Sequence, residues 1–324
     1  MNSRTNPKMI RILEVFIIIV IIFISGCQKR SSSRNSTEST HSMRVDGITR
    51  TYTVHIPQGY TGNHSVPLVI ALHGGGGSSQ KMANLTAFNS VSDTYGFIVV
   101  YPEGIENHWN DGRQLEEYTT QKENIDDVHF ISSLIDVVCE QYAIDKARIY
   151  ATGISNGAMM SCRLACELPE KIAAVAMVVG ALPTQLSTTC TPVSPVSVLL
   201  IAGTDDPLVP FEGGRIAFSS EKYGEVESMY DTVHFWVQHN GCSDTPEVTW
   251  LPDTDPDDGC RVRREVYTNG INGTEVIFFC IEGGGHTWPG GLQYAAVRLI
   301  GKTCYDFDAT ETIWFFFDEH ENSF

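Results

Sequence analysis

Five apolar runs punctuate the chain, each closed by glycine or proline: "PLVIALHGGGG" (67–77), "FIVVYPEG" (97–104), "RIYATG" (148–153), "IAAVAMVVG" (172–180) and "SVLLIAG" (197–203). Continuous rather than alternating apolarity marks strands covered on both faces, as in a parallel sheet. The terminal glycines and prolines mark where each strand must turn away. "TYTVHIP" (51–57) alternates instead and reads as an edge strand.

Between these runs the period lengthens. "IDDVHFISSLIDVVCEQY" (125–142) places Val128, Ile131, Ile135 and Val138 on one stripe, with Asp126 or Asp127 as a start cap. Helices are also predicted over 156–170, over 225–241 with Gly241 as the stop, and over 308–320 with Asp308 as cap. Strand–helix alternation of this kind predicts an α/β fold, a mostly parallel sheet with helices on both faces. Only residues 261–281 break it. "RVRREVYT" and "TEVIFFCI" flank "NGING", which predicts an antiparallel hairpin. Pairing about Gly270–Ile271 would bring Cys260 and Cys280 together. Alternatively, residue 281 belongs to a sheet strand and the turn is local.

The N-terminus changes the picture of where this domain works. Residues 1–27 run from basic residues through an apolar stretch to "ISGC", ending at Cys27. That order predicts a secretory signal. The last four residues resemble a bacterial lipobox, with Cys27 lipidated. The apolar stretch Val15–Ile24 is short of the ~20 residues of a spanning helix. Membrane association is therefore expected only through the lipid. Residues 28–44 are Ser/Thr-rich without apolar period and read as a polar tether, leaving 45–324 as a single catalytic domain.

Charge excludes one class of partner. Arg4, Lys8, Arg11, Lys29, Arg30, Arg34 and Arg44 against Glu14 and Glu38 leave the first 44 residues at +5, so residues 45–324 carry −22 of the net −17. Such a domain repels phosphate backbones, and nucleic acid is not expected. Eight cysteines follow Cys27, an even count that suggests disulfides in an exported chain. No CxxC occurs, so a zinc site is a poor competitor and no metal is expected.

The chemistry sits at the strand ends. "GISNG" (153–157) places Ser155 between glycines after an apolar strand and before a helix. A sharp strand–turn–helix corner exposes the serine hydroxyl and aims the next N–H, that of Asn156, at a developing oxyanion. A serine needs a histidine base oriented by a carboxylate, in the chain order Ser, Asp, His. "IAGTDDPLVP" supplies Asp205 and Asp206, and "EGGGHTWPGG" supplies His286. The other later histidines, His234, His239 and His320, fall on predicted helices. "LHGGGG" (72–77) is placed to give a second oxyanion donor, assigned to Gly75. No GxGxxG or Gly-Lys-Ser/Thr supports nucleotide binding.

"LHGGGG", "WNDGR", "DDVHFI", "RIYATGISNGAMMS", "LACELPEKIAAVA", "GTDDPLVPFEGG" and "GGGHTWPGG" together resemble the polyhydroxybutyrate depolymerase/feruloyl esterase family of α/β-hydrolases, over roughly residues 45–320. The resemblance implies an extracellular carboxylic ester hydrolase without a cofactor, acting on a small-molecule or polymeric ester. It implies Ser155 as nucleophile, His286 as general base and Asp206 as the acid. It also implies that Cys166 and Cys190 pair. Phe211 and Ala158 stand where the family pattern usually has Tyr and Gly. Trp109 and Trp288 are candidates to line the acyl pocket, against the alternative of packing under loops. Asp127 reads as a helix cap. The rival functions are a non-catalytic binding lipoprotein using the same pocket and a serine peptidase of the same fold. Neither oligomeric state nor substrate follows from the residues.

Overall fold

Leu68, Ile70 and Leu72 pack into one hydrophobic cluster while Val69 and Ala71, on the same strand, pack into another. That split is the plan of the molecule: one sheet with a core on each face. The computed structural model describes residues 38–218 and 221–322. The signal segment 1–27, Cys27 and the first part of the tether lie outside the described residues.

The sheet has ten strands in the order β1-β2-β4-β3-β5-β6-β7-β12-β11-β10. The central six run parallel: β4 (Ile98–Pro102), β3 (Val66–Leu72), β5 (Ile144–Ile154), β6 (Ala174–Val178), β7 (Ser197–Gly203) and β12 (Val276–Glu282). These contain the five continuous apolar runs and the second arm of the hairpin, and β3, β4, β6 and β7 are buried almost throughout. The antiparallel strands β1 (Glu38–Val45) and β2 (Ile48–His55) close one side, and β11 (Arg261–Tyr267) and β10 (Glu247–Trp250) the other. Helices α3 (Asp127–Gln141), α4 (Asn156–Glu167) and α5 (Met229–Asn240) cover one face. Helices α1 (Ser79–Thr86), α2 (Phe88–Tyr95) and α6 (Ala309–Asp318) cover the other.

Three boundaries differ from the sequence reading. Residues 38–44, read as tether, form β1, so "TYTVHIP" is not the edge but is paired on both sides. An outermost strand needs backbone pairing more than apolar side chains, and a Ser/Thr-rich segment supplies it. Residues 225–228, read as the start of a helix, are not helical, and 225–226 belong to the strand Glu221–Val226. That strand, β9, pairs with β8 (Gly214–Phe218), and the helix starts only where the Ser228 hydroxyl caps Asp231 N–H. The polar stretch 79–95 carries α1 and α2, separated by Ala87 in the left-handed region. The Asp308 and Gly241 caps are as expected.

The hairpin forms, and β12 is also a sheet strand, paired with β7. Its register sets Arg263, not Cys260, opposite Cys280. Cys260 and Cys280 enter the cores on opposite faces of the sheet and do not meet. The Cys166–Cys190 disulfide is present, tying the last turn of α4 to a following loop.

Asp126 caps α3 by accepting from His129 N–H, which leaves Asp127 for other work. Asp127 is fully buried. It pairs with the buried Arg50 at 2.7 Å and accepts from Asn110 N–H at 2.7 Å. Burial pushes its carboxyl above the usual range, against the pull of the Arg50 guanidinium. Asp127→Ala leaves a buried guanidinium unpaired and is expected to cost about 3–5 kcal/mol in a urea melt.

Candidate active site

The corner between β5 and α4 is built on sterics. Ser155 has φ 57° and ψ −119°, a conformation that costs on the order of 1–3 kcal/mol and persists only where surroundings enforce it. A Cβ on Gly157 would lie 2.3 Å from the Leu72 carbonyl oxygen, and one on Gly153 would lie 2.4 Å from the Gly157 carbonyl carbon. Only glycine lets the helix fold back onto β5 and β3 this closely. Ser155 makes no capping bond to α4, and no hydrogen bond joins its hydroxyl to His286 among the described residues.

The candidate acid and the candidate base meet. His286 Nδ1 lies 2.7 Å from Asp206 Oδ2, with both side chains almost wholly buried. Asp206 Oδ1 accepts from Leu208 N–H and Val209 N–H, at 2.8 and 2.9 Å. The carboxylate is thus fixed from both oxygens. Asp205 points elsewhere and is exposed; among the described residues its hydrogen bonds are from the neighbouring Thr204 hydroxyl at 3.1 Å and from its own N–H to Gly284. Ser155, Asp206 and His286 follow β5, β7 and β12, three strands at whose shared carboxyl edge open α/β sheets hold their ligands. The His286 loop is held by the segment after it. His286 N–H donates to Ile300, Gly285 N–H to Lys302, and the half-buried Tyr294 donates its hydroxyl to the His286 carbonyl at 2.7 Å. Burial holds the Tyr294 phenol protonated, so it stays a donor.

The glycine loop lies against the same corner. A Cβ on Gly74 would sit 3.5 Å from Ser155 Cβ, and one on Gly75 would sit 3.8 Å from Asn156 Cβ. The N–H groups of Gly75 and Asn156 make no hydrogen bond among the described residues, while Gly76 and Gly77 N–H are engaged by Asn107 and Gly74. His73 fixes the loop's start. Its Nε2 accepts from Gly104 N–H, so Nδ1 donates to the Gly74 carbonyl at 2.8 Å. Burial lowers its pKa and keeps it in this neutral form.

Beneath this loop is a clamp that local sequence does not announce. Asn156 Oδ1 accepts from Trp109 N–H, and its Nδ2 donates to the Trp109 carbonyl and to Asp111. The fully buried Asp111 also takes bonds from Arg113 and Gln121. "WNDGR" is therefore a positioning device for Asn156. If Asn156 N–H is the oxyanion donor that its position suggests, Asp111→Asn is expected to lower kcat about 10-fold or more with KM nearly unchanged, because a displaced donor weakens oxyanion stabilisation rather than binding. Steady-state kinetics separate the two.

Trp109 and Trp288 do not line a pocket. Trp109 is fully buried, its indole N–H bonded to the His73 carbonyl. Trp288 is 1% exposed, bonded to Thr310 and packed edge-on against Phe88. Both indoles need a buried acceptor, and both find one under loops. The half-buried rings beside the glycine loop are His108 and Tyr118, stacked at 4.0 Å, with a His108 carbon 3.2 Å from the Gly75 Cβ position.

Residues 50–213 match the family described as Esterase PHB depolymerase. A Nocardia uniformis subsp. tsuyamanensis protein named "Putative esterase NocK" is 31% identical over 291 residues, covering 88% of this chain and 83% of its own. The chain belongs to the Esterase PHB depolymerase family. Feruloyl esterase B of Piromyces equi is 29% identical over 237 residues, 72% of this chain but 42% of that protein, so the esterase spans less than half of that relative. An acetyl xylan esterase from Aspergillus awamori shares the fold at a TM-score of 0.54 and 17% identity, over 77% of this chain and 94% of that one. The esterase is a carboxylic ester hydrolase on an α/β-hydrolase fold.

Proposed function

We propose that the esterase works through a covalent acyl-enzyme on Ser155. His286 takes the hydroxyl proton and returns it to the leaving alcohol. Asp206 holds the imidazole with Nδ1 protonated and Nε2 toward the serine. The Gly75 and Asn156 N–H groups receive the oxyanion at the positive end of α4. Water then repeats the sequence to release the acid. The observation that carries this reading is the buried Asp206–His286 contact at the same sheet edge as the strained Ser155 corner. A binding protein has no need of that pair. Contact between Ser155 and His286 belongs to the substrate complex, where such bonds tighten.

For the acyl group, an aromatic ester of the feruloyl type is favoured over a 3-hydroxybutyrate polyester or an acetyl ester. Two things support it: the name of the Piromyces equi relative and the His108–Tyr118 stack beside Gly75, a flat surface for a second ring. The basic-then-apolar start and Cys27 support export with a lipid anchor to the cell envelope. Initial rates on methyl ferulate and on a 3-hydroxybutyrate trimer, with Ser155→Ala as blank, test the substrate. A kcat/KM at least 10-fold higher for ferulate is expected. The reverse preference would assign the enzyme to polyester breakdown.

A further inference from the structure

Two buried cysteines outside the active site stand together where the His286 loop is braced. Cys260 is 2% exposed and Cys304 fully buried. Their sulfurs and a carboxylate oxygen of Asp258 all lie within 4.8 Å of one another. Asp258 already ties the two segments: one oxygen accepts from Cys260 N–H at 2.6 Å, the other from Tyr305 N–H at 2.7 Å. The segment ending at Cys304 is the one that holds the catalytic loop. Ile300 and Lys302 carbonyls accept from His286 and Gly285 N–H, and the Cys304 carbonyl accepts from Gly290 N–H at 2.8 Å.

We propose that Cys260 and Cys304 are joined as a second disulfide, which fastens the brace of the His286 loop to the start of β11. This goes beyond the acyl-enzyme reading and rests only on the chain's being exported. The Cys166–Cys190 disulfide already fits an oxidising compartment. The oxidant is a disulfide, either of a thiol oxidoreductase or of a small thiol. The thiolate of one cysteine attacks a sulfur of the oxidant and releases one thiol. The second cysteine then displaces the other. Two electrons pass from the pair to the oxidant, and the two cysteine protons end on the released thiols. In the folded protein the neighbouring Cys304 thiol and burial hold Cys260 well above the ordinary thiol range, so it offers little thiolate. The exchange therefore belongs to folding, before this corner closes. A metal site fits less well. Asp258 gives both oxygens to backbone N–H groups, and a tetrahedral ion would need a fourth donor.

The test is non-reducing peptide mapping of the full chain refolded in a glutathione buffer, with Cys166–Cys190 as internal control. The expected map contains both a 166–190 and a 260–304 pair. Cys260→Ser, Cys304→Ser and the double variant should each lower Tm by the same amount, on the order of 10 °C. Equal, non-additive losses mark a cross-link, whereas two separate packing defects would add. A map with 166–190 closed and Cys260 and Cys304 alkylated as thiols would overturn the proposal. So would pairing of either with another cysteine, or one equivalent of zinc on the pair after refolding with zinc present. The hydrolysis rate at 25 °C should change less than 3-fold, so loss of the disulfide is not confused with failure of the acyl-enzyme reading.

Discussion

Ser155→Ala is expected to lower kcat by about 10⁶-fold while the melting temperature stays at or above that of the wild type. Both parts follow from the corner. The hydroxyl makes no structural bond to α4, so its removal costs the fold nothing. The φ of 57° is equally unfavourable for alanine and serine, so backbone strain is unchanged. What disappears is the atom proposed to form the acyl-enzyme. The residual rate would come from oxyanion donors and binding alone. Burst kinetics on a chromogenic ester read the result directly: a burst in the wild type and none in the variant.

The second large effect separates two adjacent aspartates. Asp206→Asn is expected to lower kcat about 10⁴-fold, because an amide at 2.7 Å from His286 Nδ1 turns the imidazole to the wrong tautomer. Leu208 and Val209 N–H would still find an amide oxygen, so the loop survives. Asp205→Asn removes an exposed charge whose side-chain hydrogen bond, among the described residues, comes from the neighbouring Thr204 hydroxyl, and should leave kcat within about 2-fold. Equal losses in the two variants would mean that the carboxylate contact in the structure is not the catalytic one.

What could be read from the residues, and what could not, divides by range. The Ser155 corner was legible because its cause is local: two glycines four residues apart, set where a helix must return over a strand. The strands of the parallel sheet were legible because burial on both faces leaves an unbroken apolar run. The choice of Asp206 over Asp205 came from the family resemblance, and its geometric reason, two backbone N–H groups on one oxygen and His286 on the other, needs the folded loop.

Long-range polar contacts were not legible. Asp127 looked like a cap because it begins a helix, yet its partners Arg50 and Asn110 arrive from elsewhere in the chain. The aromatic rings of Trp109 and Trp288 suggested a pocket, but nothing in their flanking residues reveals that each indole N–H has a buried acceptor. The hairpin register failed for a plainer reason. "NGING" offers two Asn-Gly turns, and both Asn269 and Asn272 adopt left-handed φ, so the pairing settles further along the chain than a turn at Gly270–Ile271 would give. That small shift moves Cys260 away from Cys280 and leaves it beside Cys304.

The most direct measurement is the mass-spectrometric location of a fluorophosphonate adduct on the esterase. One adduct is expected, on the peptide containing Ser155, absent in Ser155→Ala and formed far more slowly in His286→Gln and Asp206→Asn. An esterase that hydrolyses its ester yet takes no adduct at Ser155, or takes one elsewhere with parallel loss of activity, would contradict the assignment of Ser155 as the nucleophile.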